Sequence, residues 1–392
     1  MELLPPSIRN PELLMLLGDI LKADADQGAV PALRVRLMRP DFSWQALLDL
    51  AVQHDVLPPL IQALSQRALL PPVPRRATPA DSDHVTPRLQ QCYREHLARR
   101  QLLTAQLQNI LRGLNRDGIF PLILKGARYL VAPVAAWSEA RTFRDIDLLL
   151  RPSDADRAFT ILVAEDYRPG QPYMPNYHHL PELERQGEPS SVEIHTAPLS
   201  LAGQAALSAD FLWRHAVKAA DGSCFILPAK WQALHCLLHH QLADRGYARR
   251  ILALKPLWEW MMLTRHGARD DWQEIERHMR DAGALDLLGS WLAQAHHLFG
   301  APLPNEIAIP AQAAQNAAAT FKRASAPHWR RRTSFVMDQL RYSFSKDTLA
   351  ARYGKAPEKI SVADGGRYLL ALLRQHRGSL LRRLVGHQDR LS

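Results

Sequence analysis

Arg144-Asp145-Ile146-Asp147-Leu148-Leu149-Leu150 is the stretch on which the reading of this chain turns. Side chains on a β-strand alternate between faces, so Asp145 and Asp147 share one face while Ile146, Leu148 and Leu150 point into a core. Two carboxylates that close repel, and each resists ionising unless a cation stands between them. The pair is therefore a candidate divalent-metal site. The competing reading is a surface turn with two solvated acids, and the leucines that follow argue against it.

The surroundings have the same mixed character. Ile119-Phe120-Pro121-Leu122-Ile123-Leu124 is a continuous apolar run consistent with a buried strand. Lys125-Gly126 follows, and Ala127 to Val131 resumes a helical pattern. Ser153 with Asp156 three residues later predicts a capped helix to about Glu165. Residues 169–190 are proline-rich and read as a loop or long hairpin. Ser191-Val192-Glu193-Ile194-His195 then forms a third strand, with Val192 and Ile194 inward and Glu193 and His195 on the other face.

Helical periodicity dominates on both sides. Leu102, Leu103, Leu107, Ile110, Leu111 and Leu114 repeat at the helical spacing, and Trp44 to Leu48 opens an earlier helix. A proline-rich break from Pro71 to Pro87 separates them, and Asn115-Arg116-Asp117-Gly118 supplies a helix-ending turn. From Ala229 onward, helices are expected around 229–243, 249–264, 271–282 and 284–299. Residues 301–330, rich in alanine and proline, read as a loose connector, and Tyr368 to Val385 as a basic amphipathic helix. No internal repeat is visible. The expected fold is α+β: an N-terminal helical region (1–115), a small mixed-sheet core (116–228), a helical domain packing on it (229–300), and a connector with a basic C-terminal helical region (301–392).

Composition narrows the function classes. The chain of 392 residues is 47% hydrophobic and 22% charged, an ordinary globular balance. No run of eighteen apolar residues offers a membrane span, and the first residues lack the basic start and apolar run of a signal peptide. Cys92, Cys224 and Cys236 are scattered without metal-ligand spacing, as expected of reduced thiols in a cytoplasmic protein. A net charge of +10, with Arg330-Arg331-Arg332, Arg374, Arg377, Arg382 and Arg383 late in the chain, suits polyphosphate, nucleic acid or anionic lipid, or simply a solvated basic face. No helix-turn-helix, zinc-finger or RNA-recognition signature accompanies that charge. The C-terminal helix is open to two readings, a peripheral membrane or partner contact and ordinary packing on the body.

The order of strand, Lys-Gly turn, helix, Asp-x-Asp strand and acid-bearing strand resembles the polymerase-beta-like nucleotidyltransferase superfamily. Within it, the chain is similar to the bacterial uncharacterised nucleotidyltransferase family proteins. That likeness rests on Leu124-Lys125-Gly126, Arg141 to Leu150, the helix ending near Asp166-Tyr167 and Val192-Glu193-Ile194-His195. It extends to the His-rich segment from Ala233 to His240, Asp271-Trp272 and Leu298-Phe299-Gly300, so it covers about residues 40 to 305. Many superfamily members carry Gly-Ser or Gly-Gly in the turn, whereas the closer group shares Lys-Gly.

The resemblance implies Mg²⁺ (or Mn²⁺) held by Asp145, Asp147 and Glu193, with Glu193 placed to orient or deprotonate an acceptor hydroxyl. It implies an NTP, ATP foremost, gripped by Lys125, Gly126, Arg141 and Arg144. The reaction it implies is transfer of a nucleoside monophosphate, or another phosphoryl group, from the NTP to an unidentified small-molecule, glycan or peptide acceptor. The alternative function is a non-catalytic, regulatory or antitoxin-like binding protein on the same fold. His195 and His178 are substrate-pocket candidates; His195 has a structural histidine as its other reading, and His178 lies with His179 in the proline-rich loop, from which it could reach a substrate. Lys125 has an exposed turn lysine as its alternative, and Glu193 a salt-bridged strand residue. His235 and His239 sit one helical turn apart, but no third ligand completes a zinc site.

Overall fold

A computed structural model of the chain describes residues 10–22, 28–71, 85–170, 178–200, 203–265, 267–305, 307–353 and 355–370. Helices α1 (Pro11–Leu21), α2 (Ala29–Leu37), α3 (Trp44–Gln53) and α4 (Leu57–Gln66) precede the 32-residue α5 (Val85–Arg116). The sheet region follows: β1 (Leu122–Ile123), a 3-10 turn (Lys125–Ala127) running into α6 (Arg128–Val131), β2 (Asp145–Leu149), α7 (Pro152–Ala164), β3 (Arg168–Pro169), β4 (Leu183–Glu184), β5 (Ser191–His195), α8 (Ala209–His215), β6 (Val217–Lys218) and β7 (Phe225–Ile226). Then come α9 (Ala229–Leu238), a π-helical turn (His239–Ala243), α10 (Gly246–Arg249), α11 (Leu254–Thr264), α12 (Arg269–Asp281), α13 (Leu285–Phe299) and α14 (Ala311–Ala324).

The sheet is mixed, in the order β3-β4-β5-β2-β1-β7-β6. At its centre β2 runs parallel to β5 and antiparallel to β1. The register sets Asp145 opposite Ser191, Asp147 opposite Glu193 and Leu149 opposite His195. One face is closed by α5 and α7: Leu107, Ile110, Leu111 and Leu114 pack with Ala155, Ala158 and Leu162 on Ile146, Leu148, Leu150, Val192 and Ile194. Each of these large aliphatic side chains is at most 2% exposed and contributes about 1.5–3 kcal/mol of burial. Polar ties fix α5 to the same sheet, since Gln106 Nε2 donates to the Ser190 carbonyl at 2.7 Å.

The opposite face of the central strands carries the polar set, and a second core surrounds it. That core joins Leu149 and Leu124 to residues of α1, α3, α4, α9, α11 and α13. The helices before and after the sheet thus share one apolar interior. Their approach is close where α1 meets α13: a Cβ on Gly18 would stand 2.2 Å from the Leu298 carbonyl oxygen, so only glycine fits.

The described residues divide into two compact units, the larger taking those up to Arg331 and the smaller those from Arg332 onward. Helix α15 (His328–Ser343) follows α14. The smaller unit holds α16 (Lys346–Tyr353), a 3-10 turn (Pro357–Lys359) and helical residues 362–370. There the buried Asp364 carboxylate accepts from Lys355 Nζ at 2.6 Å and from the Ser361 amide at 2.9 Å.

Several local expectations are corrected. Residues 311–324 form α14 rather than a loose connector, because Ala313 and Ala317 are small enough to pack on α13, where Gly289 leaves room. Helix α7 begins with Pro152 at its first turn behind Arg151, with no side-chain cap, in place of the Ser153–Asp156 box. Strands β6 and β7 are too short to leave a periodic signal; they join the sheet through tertiary pairing with β1. The Pro71–Pro87 break falls largely, and the basic helix from residue 371 onward wholly, outside the described residues.

Candidate functional site

Strand alternation and register bring the polar residues together. Asp145, Asp147, Glu193 and His195 lie on one face of two adjacent parallel strands. Asp147 is fully buried, and its Oδ1 accepts from Lys125 Nζ at 2.7 Å and lies 2.9 Å from His195 Nε2. His195 Nε2 is also 3.2 Å from Glu193 Oε2. Asp147 Oδ2 is buried and has no hydrogen-bond partner among the described residues.

Backbone geometry places the lysine. The Leu124 amide donates to the Asp147 carbonyl at 3.0 Å, which ends β1 directly beside the acid. Lys125 then turns with φ +47°, a left-handed conformation that costs a non-glycine residue about 1–2 kcal/mol. The turn is steadied by Gln232 of α9, whose Nε2 donates to the Lys125 carbonyl at 3.2 Å. Gly126 sits against Phe143, whose Cβ would be 2.6 Å from a Cβ at that position.

Charge is shared unevenly among the acids. Burial alone would raise the Asp147 carboxyl, but Lys125 and His195 hold it far below the usual carboxylate range. Glu193 is likewise lowered despite its burial, chiefly by the His195 hydrogen bond. Asp145 goes the other way: burial, with the Asp147 charge beside it, pushes it up. His195 and Lys125 are both raised by these acids against the opposing effect of burial. The site is an anionic cluster short of positive charge at Asp145.

A cleft of about 400 Å³ opens over Asp145. Lys125, Gly126, Arg141 and Arg144 line it, as does the α9 face bearing Gln232, His235 and His239. Arg144 is exposed, whereas Arg141 is buried with its Nε 2.5 Å from Glu259 Oε2. Glu259 also accepts from Tyr129 Oη at 2.8 Å, so it anchors the segment between α6 and β2 from α11. His178 lies beside the acids: its ring centroid is 5.5 Å from that of His195, and burial with the neighbouring imidazoles lowers its pKa to about 3. His179 bridges His195 in antiparallel fashion.

Two residues of the cleft, Lys255 and Gln232, were missed by sequence reasoning, whereas His235 was singled out there. Lys255, on α11, pairs with Asp55 and faces the cleft. Its spacing of four from Glu259 puts both on one face of a helix, but only the fold shows that this face meets Arg141. Gln232 belongs to the same class. His235 is fully buried, neither ring nitrogen has a hydrogen-bond partner among the described residues, and burial with His239 nearby holds it well below its ordinary pKa.

The donors suit a cation. Among the described residues, Asp147, Glu193 and His195 each offer a ligand atom, and these atoms lie within 4.8 Å of one another. An unpartnered, buried carboxylate oxygen costs about 1–3 kcal/mol, and ion ligation is one way it becomes satisfied. His235 and His239, with ring centroids 5.9 Å apart, stand outside that group.

Residues 40–300 match the family model described as uncharacterised nucleotidyltransferase, and the chain belongs to that family. No curated protein and no solved structure matches the chain.

Proposed function

We propose that this member of the nucleotidyltransferase family moves a nucleoside monophosphate from an NTP, ATP foremost, to a hydroxyl-bearing small molecule, glycan or peptide, with a divalent metal such as Mg²⁺ or Mn²⁺. The observation that carries the reading is the shared face of Asp145, Asp147 and Glu193 on two paired strands, with Asp145 lining a cleft whose wall also carries Lys125, Arg141 and Arg144. Asp145, Asp147 and Glu193 would hold the metal, which supplies charge neutralisation at the reacting phosphate and the pyrophosphate leaving group.

The chain's own residues do the rest. Arg144 is exposed at the cleft and complements phosphate charge; Lys125 does so when its ammonium leaves Asp147. Arg141, fixed by Glu259, presents a guanidinium of set orientation. Gly126 keeps the turn free of a side chain where phosphates approach. Glu193, held ionised, takes the acceptor hydroxyl proton at Oε1 or Oε2 as the new oxygen–phosphorus bond forms. His195 steadies that carboxylate, and His178 lines the acceptor side.

One observation favours a second reading. The Lys125 ammonium already neutralises Asp147, as it would in a fold that binds partners without catalysis. The experiment is incubation of the protein with each α-labelled NTP, Mg²⁺ or Mn²⁺ and a cell extract, beside the Asp145→Ala/Asp147→Ala variant. Label transferred by the parent alone agrees with the enzyme; equal label with both proteins removes the site. Absence of metal-dependent NTP binding leaves the binding-protein reading.

A further inference from the structure

We infer that His195 is itself a metal ligand, and that the site therefore selects a first-row transition ion, Mn²⁺ in preference to Mg²⁺. The inference deepens the metal-dependent reading above and rests on it.

The geometry is that of a mixed oxygen and nitrogen donor set. His195 Nε2 stands 2.9 Å from Asp147 Oδ1 and 3.2 Å from Glu193 Oε2, so one ring nitrogen and two carboxylates from neighbouring strands aim at a common point. His195 holds its place through the parallel β2–β5 register and the antiparallel bridge to His179. A ligand set built by strand register is rigid, as a coordination site requires. The orphaned Asp147 Oδ2 is a second, independent sign that a ligand belongs there, because Lys125 and His195 both engage only Oδ1.

Donor type and burial decide which ion fits. Imidazole nitrogen is a good ligand for first-row transition ions and a poor one for Mg²⁺, which favours oxygen. Mg²⁺ also keeps several waters, whereas the Asp147 and His195 side chains are each 1% exposed, leaving little room for a hydration shell on that side. An acid triad alone would lack this preference.

The test is Mn²⁺ binding followed by electron paramagnetic resonance, with electron spin echo modulation reporting directly coordinated nitrogen. The parent should bind Mn²⁺ with nitrogen modulation, and Mg²⁺ should compete only at about tenfold or greater excess. His195→Gln should lose the modulation and flatten the Mn²⁺ over Mg²⁺ preference, while His235→Gln keeps both. Should His195→Gln fail to fold, ¹⁵N-histidine protein carrying His178→Gln, His179→Gln or His239→Gln decides: a ¹⁵N pattern that persists in all three supports His195 as the ligated ring, and its loss in any one overturns the inference. Mn²⁺ bound without nitrogen modulation, or modulation lost only in His235→Gln, overturns the inference while leaving a metal site in place. Failure of the parent to bind Mn²⁺, with and without NTP, overturns both the inference and the reading beneath it.

Discussion

Replacing Lys125 by methionine isolates the charge that holds the acid cluster together. Methionine keeps the stem and, unlike glycine, the cost of the left-handed turn, so the backbone term cancels between parent and variant. The Asp147 side chain is 1% exposed and has two partners, Lys125 at 2.7 Å and His195 at 2.9 Å. Breaking a buried pair by removing one partner costs about 3–5 kcal/mol, and because His195 remains we place Lys125→Met at about 3 kcal/mol. The reverse truncation is milder. Asp147→Asn leaves an ammonium that is 22% exposed and an amide oxygen that still accepts, so about 1–2 kcal/mol is expected. The double variant should be less destabilised than the sum by about 1–3 kcal/mol. Urea unfolding followed by fluorescence of the buried Trp137, Trp258 and Trp291 reads all four proteins. Saturating Mn²⁺ should restore more stability to Lys125→Met than to the parent, since the ion supplies the missing counter-charge. Additive effects within about 0.5 kcal/mol would refute the coupling, as would a Lys125→Met midpoint equal to that of the parent.

Other perturbations test the remaining parts. Stability should depend on pH at both ends: Asp147 and Glu193 are lowered, so their contribution is present above the ordinary carboxylate range and falls away in acid. His195 is raised above 6.5, so its contribution is complete below that value and lost as pH climbs through the folded-state pKa; His195→Gln should abolish the alkaline loss in melting curves taken from pH 5 to 9. Asp145→Asn removes a carboxylate that burial and Asp147 disfavour, so melting temperature should hold or rise while label transfer from NTP disappears; a clear fall in melting temperature contradicts this. Gly126→Ala should cost about 1–3 kcal/mol in urea, and adding Phe143→Ala should recover only part, because the offending Cβ of residue 143 remains. Arg141→Met leaves Glu259 buried with Tyr129 alone and should cost about 3–5 kcal/mol, a loss that Glu259→Gln in the same chain reduces.

Much of the centre was legible because strand geometry is local. Period-two alternation is enough to put Asp145 with Asp147, Glu193 with His195, and their aliphatic neighbours on the other side. The long α5 declared itself through its leucines, and the Lys-Gly turn through the break between an apolar run and a helical one. The short strands β3, β4, β6 and β7 carry two residues each, below any periodic signal, and exist by pairing with neighbours already in place. The α14 alanines looked like a connector for a related reason: small side chains give little apolar pattern, yet pack closely once α13 is beside them.

The sequence by itself determined which residues share a face, because the alternation of a strand and the turn of a helix depend only on neighbours along the chain. Only the tertiary structure decided which faces meet. It set β5 beside β2 in a register that brings Glu193 and His195 to Asp147, and put the Lys125 ammonium on that acid. It also turned α9 and α11 so that Gln232, His235 and Lys255 close the cleft, while Arg141 is committed to Glu259 from 118 residues away. Such pairings depend on burial and charge compensation between segments distant in the chain, where no local period carries a signal.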